Sequence, residues 1–86
     1  MSRSEREAVK RLAILGSTGS IGKSALDLVD LYPERFQIVT LAAQKSVELL
    51  HQQCLKYRPE IVALYDREAA QDLQQRLPDM KVLSGV

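Results

Sequence analysis

Hydrophobic and polar positions follow two alternating periods along the chain. Leu12-Ala13-Ile14-Leu15 is a compact apolar run closed by Gly16, the pattern of a strand buried on both faces. Ile21, Ala25, Leu28, Val29 and Tyr32 then fall on one helical face, and Pro33 stops that helix because it lacks an N–H and clashes with the preceding turn. Phe36 to Ala43, rich in Ile38, Val39 and Leu41, reads as a second strand. Ser46 can cap a second helix that turns Val47, Leu50, Cys54 and Leu55 toward a core and ends before Pro59. Ile61-Val62-Ala63-Leu64 is a third buried-type strand. Ala69, Ala70, Leu73 and Leu77 mark a third helix, stopped by Pro78, and Lys81 to Leu83 form a fourth, peripheral strand.

Strands alternating with single helices must pair in parallel, since each crossover is a helix and crossovers are right-handed. The pattern predicts an α/β fold, a Rossmann-like open parallel sheet with helices on both faces, truncated after its first half. No further helix follows Ser84-Gly85-Val86.

Composition narrows the function classes. Twelve basic against 11 acidic residues leave a formal charge of +1, which gives no field to select nucleic acid or an anionic membrane. No apolar run approaches the ~20 residues that span a bilayer. The opening Met1-Ser2-Arg3-Ser4-Glu5-Arg6-Glu7 is polar and acid-containing, unlike a signal or transit peptide. A lone cysteine, Cys54, forms no internal disulfide, so a reducing cytoplasm is expected. At 86 residues the chain suffices for one small domain and is short for a whole enzyme.

The candidate chemistry lies between the first strand and the first helix, in Gly16-Ser17-Thr18-Gly19-Ser20-Ile21-Gly22. Gly16 permits a sharp exit from the strand, Gly19 lets a pyrophosphate approach the backbone, and Gly22 lets the helix pack close to the sheet. The helix N-terminus directs free N–H groups and partial positive charge at the phosphates, while Thr18 and Ser20 add hydroxyl donors. Ser17 takes the first glycine position of the usual G-x-G-x-x-G pattern. A turn that merely closes a strand–helix unit is the plain alternative. A P-loop is the rival from another class, since Gly22-Lys23-Ser24 ends like G-x-x-x-x-G-K-[ST] and Asp66 follows an apolar strand. That reading fails because its first glycine falls on Ser17, leaving Lys23 as a solvated helix residue and Asp66 as a helix cap.

A dinucleotide fold declares its cofactor about 20 residues beyond the glycines, where an acid binds the free ribose hydroxyls of NAD. Here Leu41-Ala42-Ala43-Gln44-Lys45-Ser46 carries no acid, and Lys45 and Ser46 suit the 2′-phosphate of NADP. His51 reads as a surface or packing residue, Cys54 as a small core residue, and Asp27, Asp30, Asp66, Glu68 and Asp72 as solvated faces. No catalytic acid, base, nucleophile or metal set emerges.

Leu15-Gly16-Ser17-Thr18-Gly19-Ser20-Ile21-Gly22, Leu26-Asp27, Tyr32-Pro33-Glu34-Arg35-Phe36, Leu41-Ala42-Ala43 and Val82-Leu83-Ser84-Gly85 together resemble the start of the 1-deoxy-D-xylulose 5-phosphate reductoisomerases. The resemblance covers nearly all of the chain from Lys10 onward. It implies an oxidoreductase of non-mevalonate isoprenoid biosynthesis that uses NADPH and a divalent metal, Mg or Mn, to make 2-C-methyl-D-erythritol 4-phosphate as a homodimer. Cofactor contacts carried over by position fall on Thr18, Gly19, Ser20 and Ile21. The 2′-phosphate contacts, often Gly-Lys-Asn, fall on Gln44, Lys45 and Ser46, with Gln44 departing from glycine. Residues 1–9 then read as a polar extension and 10–86 as the first part of the NADPH-binding domain. The family's metal carboxylates, substrate-phosphate ligands and active-site loop lie beyond position 86, so these residues alone are expected to be inactive. An aspartate-semialdehyde dehydrogenase-like reductase and a non-catalytic nucleotide-binding module are the remaining alternatives.

Overall fold

The computed structural model describes residues 9–84. The polar opening segment, apart from Val9, and Gly85 of the Val82–Gly85 match lie outside the described residues. Four strands and three helices alternate: β1 (Lys10–Leu15), α1 (Ser20–Leu31), β2 (Phe36–Ala43), α2 (Val47–Tyr57), β3 (Ile61–Leu64), α3 (Arg67–Arg76) and β4 (Lys81–Ser84). All strand pairs are parallel and the spatial order is β1-β2-β3-β4.

That order has a consequence for the layers. Each right-handed crossover steps the same way across the sheet, so each helix returns to the same face. The expected open parallel Rossmann-like sheet is present, and its three described helices cover one face. The row Ile14, Leu41, Val62 and Val82 runs across the covered side. Its central members, Leu41 and Val62, are fully buried against Leu26, Val29, Leu50, Cys54, Ala69, Ala70 and Leu73 from the helices. The row Leu15, Ala42, Ala63 and Leu83 crosses the other side, and Leu15 and Leu83 are exposed. β1 is therefore not buried on both faces in this chain. The second covering layer of helices is not among the described residues.

A register shift lies inside the β1–β2 pair: Leu12 faces Ile38 but Ala13 faces Thr40, leaving Val39 as an extra residue. The bulge reverses the facing of β2, so Ile38 and Leu41, three residues apart, both reach the covered side. The Val39 carbonyl instead accepts from Glu60 N–H at 2.8 Å.

Helix ends follow local chemistry. Pro33 and Pro78 lie just beyond α1 and α3. Asp66 caps α3, its carboxylate accepting from Ala69 N–H at 2.9 Å. α2 ends on Arg58 in the left-handed region, φ 49°, with its N–H bonded to the Cys54 carbonyl at 2.8 Å. Ser46 occupies the N-cap position of α2, but its hydroxyl makes no capping bond; only its carbonyl takes the first helical bond, from Leu50 at 3.0 Å.

The inward face of α1 differs from the apolar stripe read in the sequence. Gly22, Leu26 and Val29 are buried, whereas Ile21, Leu28 and Tyr32 are exposed. Gly22 leads the buried stripe because the helix lies directly on the turn before it. α2 and α3 match more closely: Leu50, Cys54, Ala69, Ala70 and Leu73 are buried, with Leu55 turned outward.

Candidate nucleotide-binding site

The glycine-rich turn begins where β1 stops. Gly16 has φ +73°, a backbone that side-chain-bearing residues rarely adopt, and this redirects the chain out of the sheet. Gly16 N–H and Ser17 N–H both donate to the Ala42 carbonyl of β2, at 2.8 and 2.9 Å. Gly19 N–H closes the turn on the Gly16 carbonyl at 3.0 Å. Gly16 thus performs the sharp turn one residue earlier than the usual pattern places it, and Ser17 can be a serine whose side chain is fully buried.

Gly19 and Gly22 serve different needs. A Cβ on Gly22 would lie 2.2 Å from the Gly16 carbonyl oxygen and 2.7 Å from Ser17 Cα, so only glycine fits beneath the turn. A Cβ on Gly19 would meet only the Gly16 carbonyl oxygen, at 3.4 Å, and Gly19 is exposed with an ordinary φ of −84°. The protein itself does not exclude a side chain there, whereas a ligand lying against the backbone would.

α1 starts at Ser20, and its first helical bond runs from Lys23 N–H to the Gly19 carbonyl at 2.9 Å. The N–H groups of Ser20, Ile21 and Gly22 precede that bond and have no acceptor within the helix. Neither a capping side chain nor an acid occupies this first turn, so its partial positive charge is uncancelled. Thr18 is half-buried, and Ser20 and Ile21 are exposed, Ile21 to 87%. An apolar side chain so far out of the core contributes little to the fold.

The second half of the site lies at the same edge of the sheet. Leu15 pairs with Ala42, so the loop after β2 emerges beside the turn after β1. Lys45 and Ser46 are exposed there. Val47 N–H bonds the Lys45 carbonyl at 2.9 Å around Ser46, whose φ −81° and ψ 78° form a tight three-residue turn. Tyr65 N–H and Asp66 N–H fix the loop from the other side, donating to the Ala43 and Gln44 carbonyls at 3.0 and 2.9 Å. The one acid in the first turn of α2, Glu48, is held by Arg76 of α3 at 2.9 Å. Lys45 is therefore the nearest charge along the chain at the end of β2, as the sequence suggested.

Two features of this edge were not legible beforehand. Tyr65 places an exposed ring at the end of β3. Gln53, two turns into α2, donates from Nε2 to the Ser17 carbonyl at 2.8 Å. A glutamine on an amphipathic helix gives no signal of such a role. Elsewhere, Lys23 is exposed in α1 and Asp66 caps α3. His51 is half-buried on α2. Cys54 is buried, which pushes its thiol pKa up to about 11. Among the described residues no three His, Cys, Asp or Glu side chains come together as a metal site.

A parallel strand, a glycine turn, a helix N-terminus aimed outward and a basic loop after the next strand define the dinucleotide-binding class of Rossmann-like proteins. The chain belongs to the 1-deoxy-D-xylulose 5-phosphate reductoisomerase family, whose model matches residues 12–86. A curated relative, the reductoisomerase of Nitrosococcus oceani, is 49% identical over 78 residues, covering 86% of this chain and 20% of the relative. The solved reductoisomerase from Zymomonas mobilis in complex with NADPH superposes with a TM-score of 0.83 at 28% identity, over 99% of this chain and 22% of that one. A reductoisomerase complex with NADPH, fosmidomycin and magnesium gives 0.85 at 31% identity, over 90% and 20%. The chain thus spans about a fifth of the length of the relatives it matches.

Proposed function

We propose that this chain is the NADPH-binding part of a 1-deoxy-D-xylulose 5-phosphate reductoisomerase. The observation that carries the proposal is the pairing of two anion-ready elements on one sheet edge, the α1 N-terminus behind Gly19 and the Lys45–Ser46 loop, in a family with an NADPH-bound structure. Ser20 and Ile21 N–H groups would take the pyrophosphate, with Thr18 and Ser20 hydroxyls beside them. Lys45 and the Ser46 hydroxyl, which makes no capping bond, would take the 2′-phosphate. Ile21 would pack against the cofactor.

NADPH supplies the hydride when bound. The residues described here bind and orient it and contribute no proton-transfer group. The whole protein would convert 1-deoxy-D-xylulose 5-phosphate to 2-C-methyl-D-erythritol 4-phosphate as a cytoplasmic homodimer with a divalent metal. Family membership supports the activity, and the magnesium of a related structure supports the metal. Residues 1–86 alone should show no turnover, since they match only about a fifth of the length of the related reductoisomerases.

Calorimetric titration with NADPH, NADH and ATP tests the cofactor assignment. NADPH should bind best, and Lys45→Ala should weaken it about ten-fold, ~1.4 kcal/mol, with NADH little changed. Equal loss for both nucleotides would remove Lys45 from the 2′-phosphate site.

A further inference from the structure

The Gln53–Ser17 bond joins the two halves of the site through the interior. α2 starts directly after Lys45 and Ser46, and two turns later its Gln53 reaches back to the turn after β1. The acceptor is the carbonyl of Ser17, the residue whose N–H is already fixed by Ala42. Both faces of the Ser17 peptide neighbourhood are thereby held, one by β2 and one by α2. The Ser17 side chain is completely buried, and its Oγ, like Gln53 Oε1, has no hydrogen-bond partner among the described residues. Two buried polar atoms of opposite need, a hydroxyl that can donate and an amide oxygen that can only accept, thus belong to the pair already joined at 2.8 Å. Natural interiors rarely leave such groups without a role.

Resting on the NADPH reading above, we propose that Gln53 is a positioning residue for the cofactor's pyrophosphate. It touches no ligand. Its Nε2–H fixes the Ser17 carbonyl, which sets the direction of the following peptides and hence the aim of the Ser20 and Ile21 N–H groups. Glutamine meets the requirement because a carbonyl needs a neutral donor here, with no charge to desolvate in a half-buried position. Because α2 also carries the end of the Lys45–Ser46 loop, one rigid helix holds both anion sites in fixed relation.

The test uses Gln53→Met and Gln53→Glu in the 86-residue chain. Each preserves side-chain length, and each removes the donor. Amide hydrogen exchange in the ligand-free chain is compared at Gly16 and Ser17, which bond Ala42, and at the core amides of Leu41 and Leu64. Both variants should speed exchange at the turn relative to the core. NADPH and NADH affinity should fall together by about five- to ten-fold, with their ratio preserved, because the pyrophosphate is common to both. A loss shared equally by turn and core would make Gln53 a packing residue, and unchanged turn exchange in both variants would overturn the proposal. If the unaltered chain bound neither nucleotide while the exchange contrast persisted, the NADPH reading would fail and the positioning of the turn would stand.

Discussion

Gly19 and Gly22 lie one helical turn apart and answer to different constraints. At Gly22 the constraint is the fold, because any Cβ would overlap the backbone of Gly16 and Ser17. Gly22→Ala should cost at least about 3 kcal/mol and lower the melting temperature severely in thermal denaturation. At Gly19 the fold leaves room for a Cβ, and the proposed constraint is the ligand. Gly19→Ala should change stability by about 1 kcal/mol or less and reduce NADPH affinity more than about ten-fold by titration. If Gly19→Ala bound NADPH normally, the pyrophosphate would not lie on that face of the turn. Cys54 gives a second residue-scale expectation. Burial holds its thiol protonated, with a pKa near 11, so a thiol reagent at about pH 8 should modify the folded chain at least ~100-fold more slowly than the denatured chain. Labelling at the denatured rate would show that the α2 face opens readily.

Between elements, α1 and α2 are fastened by a small polar cluster. Asp30 of α1 accepts from Lys56 at 2.8 Å and from Tyr57 at 2.8 Å, both on α2. Asp30 and Asp72, read in the sequence as solvated, do lie on exposed faces, but each has a cationic partner, Lys56 and Arg76. The Lys56 ammonium, then the Tyr57 hydroxyl, hold the Asp30 carboxyl below its ordinary range, and Asp30 in return raises Lys56. The signs set the pH window. A carboxyl lowered in the folded state stabilises fully above its unfolded value near ~4, and this is lost as pH falls through the lower folded value. A raised lysine stabilises fully below ~10.4, and this is lost as pH rises through its higher folded value. The melting-temperature gap between the unaltered chain and Asp30→Asn should therefore be widest between about pH 5 and pH 9 and close near about pH 2. A constant gap across that range would mean that the cluster acts by packing rather than by charge.

At the scale of the whole molecule, one sheet face is covered and the other carries the row Leu15, Ala42, Ala63 and Leu83. A domain this small that leaves a sheet face open buries little surface, so ligand binding should be a large part of its stability. NADPH at ~100 times its Kd should add about 2.7 kcal/mol and raise the melting temperature by several degrees, with NADH at the same concentration adding less. Equal shifts from both nucleotides would contradict the role given to the 2′-phosphate.

The sequence by itself determined the elements, their parallel pairing and the two loops that carry the candidate site. These follow from local causes: Pro33, Pro59 and Pro78 stop helices, β-branched runs form strands, and single-helix crossovers leave no other pairing. It also placed Gly16 at the sharp turn and Gly22 beneath it, since backbone conformation and close approach leave a residue-type signature. Tertiary structure alone decided which sheet face is covered, because an apolar side chain is equally apolar facing a helix or facing solvent. Only the folded chain could show that Val39 is a bulge, that Ile21 and Leu28 point away from the core, or that Gln53 reaches the Ser17 carbonyl. Each depends on where a second element lies, 36 residues distant in the case of Gln53, and one amphipathic helix carries no record of what its polar face will meet.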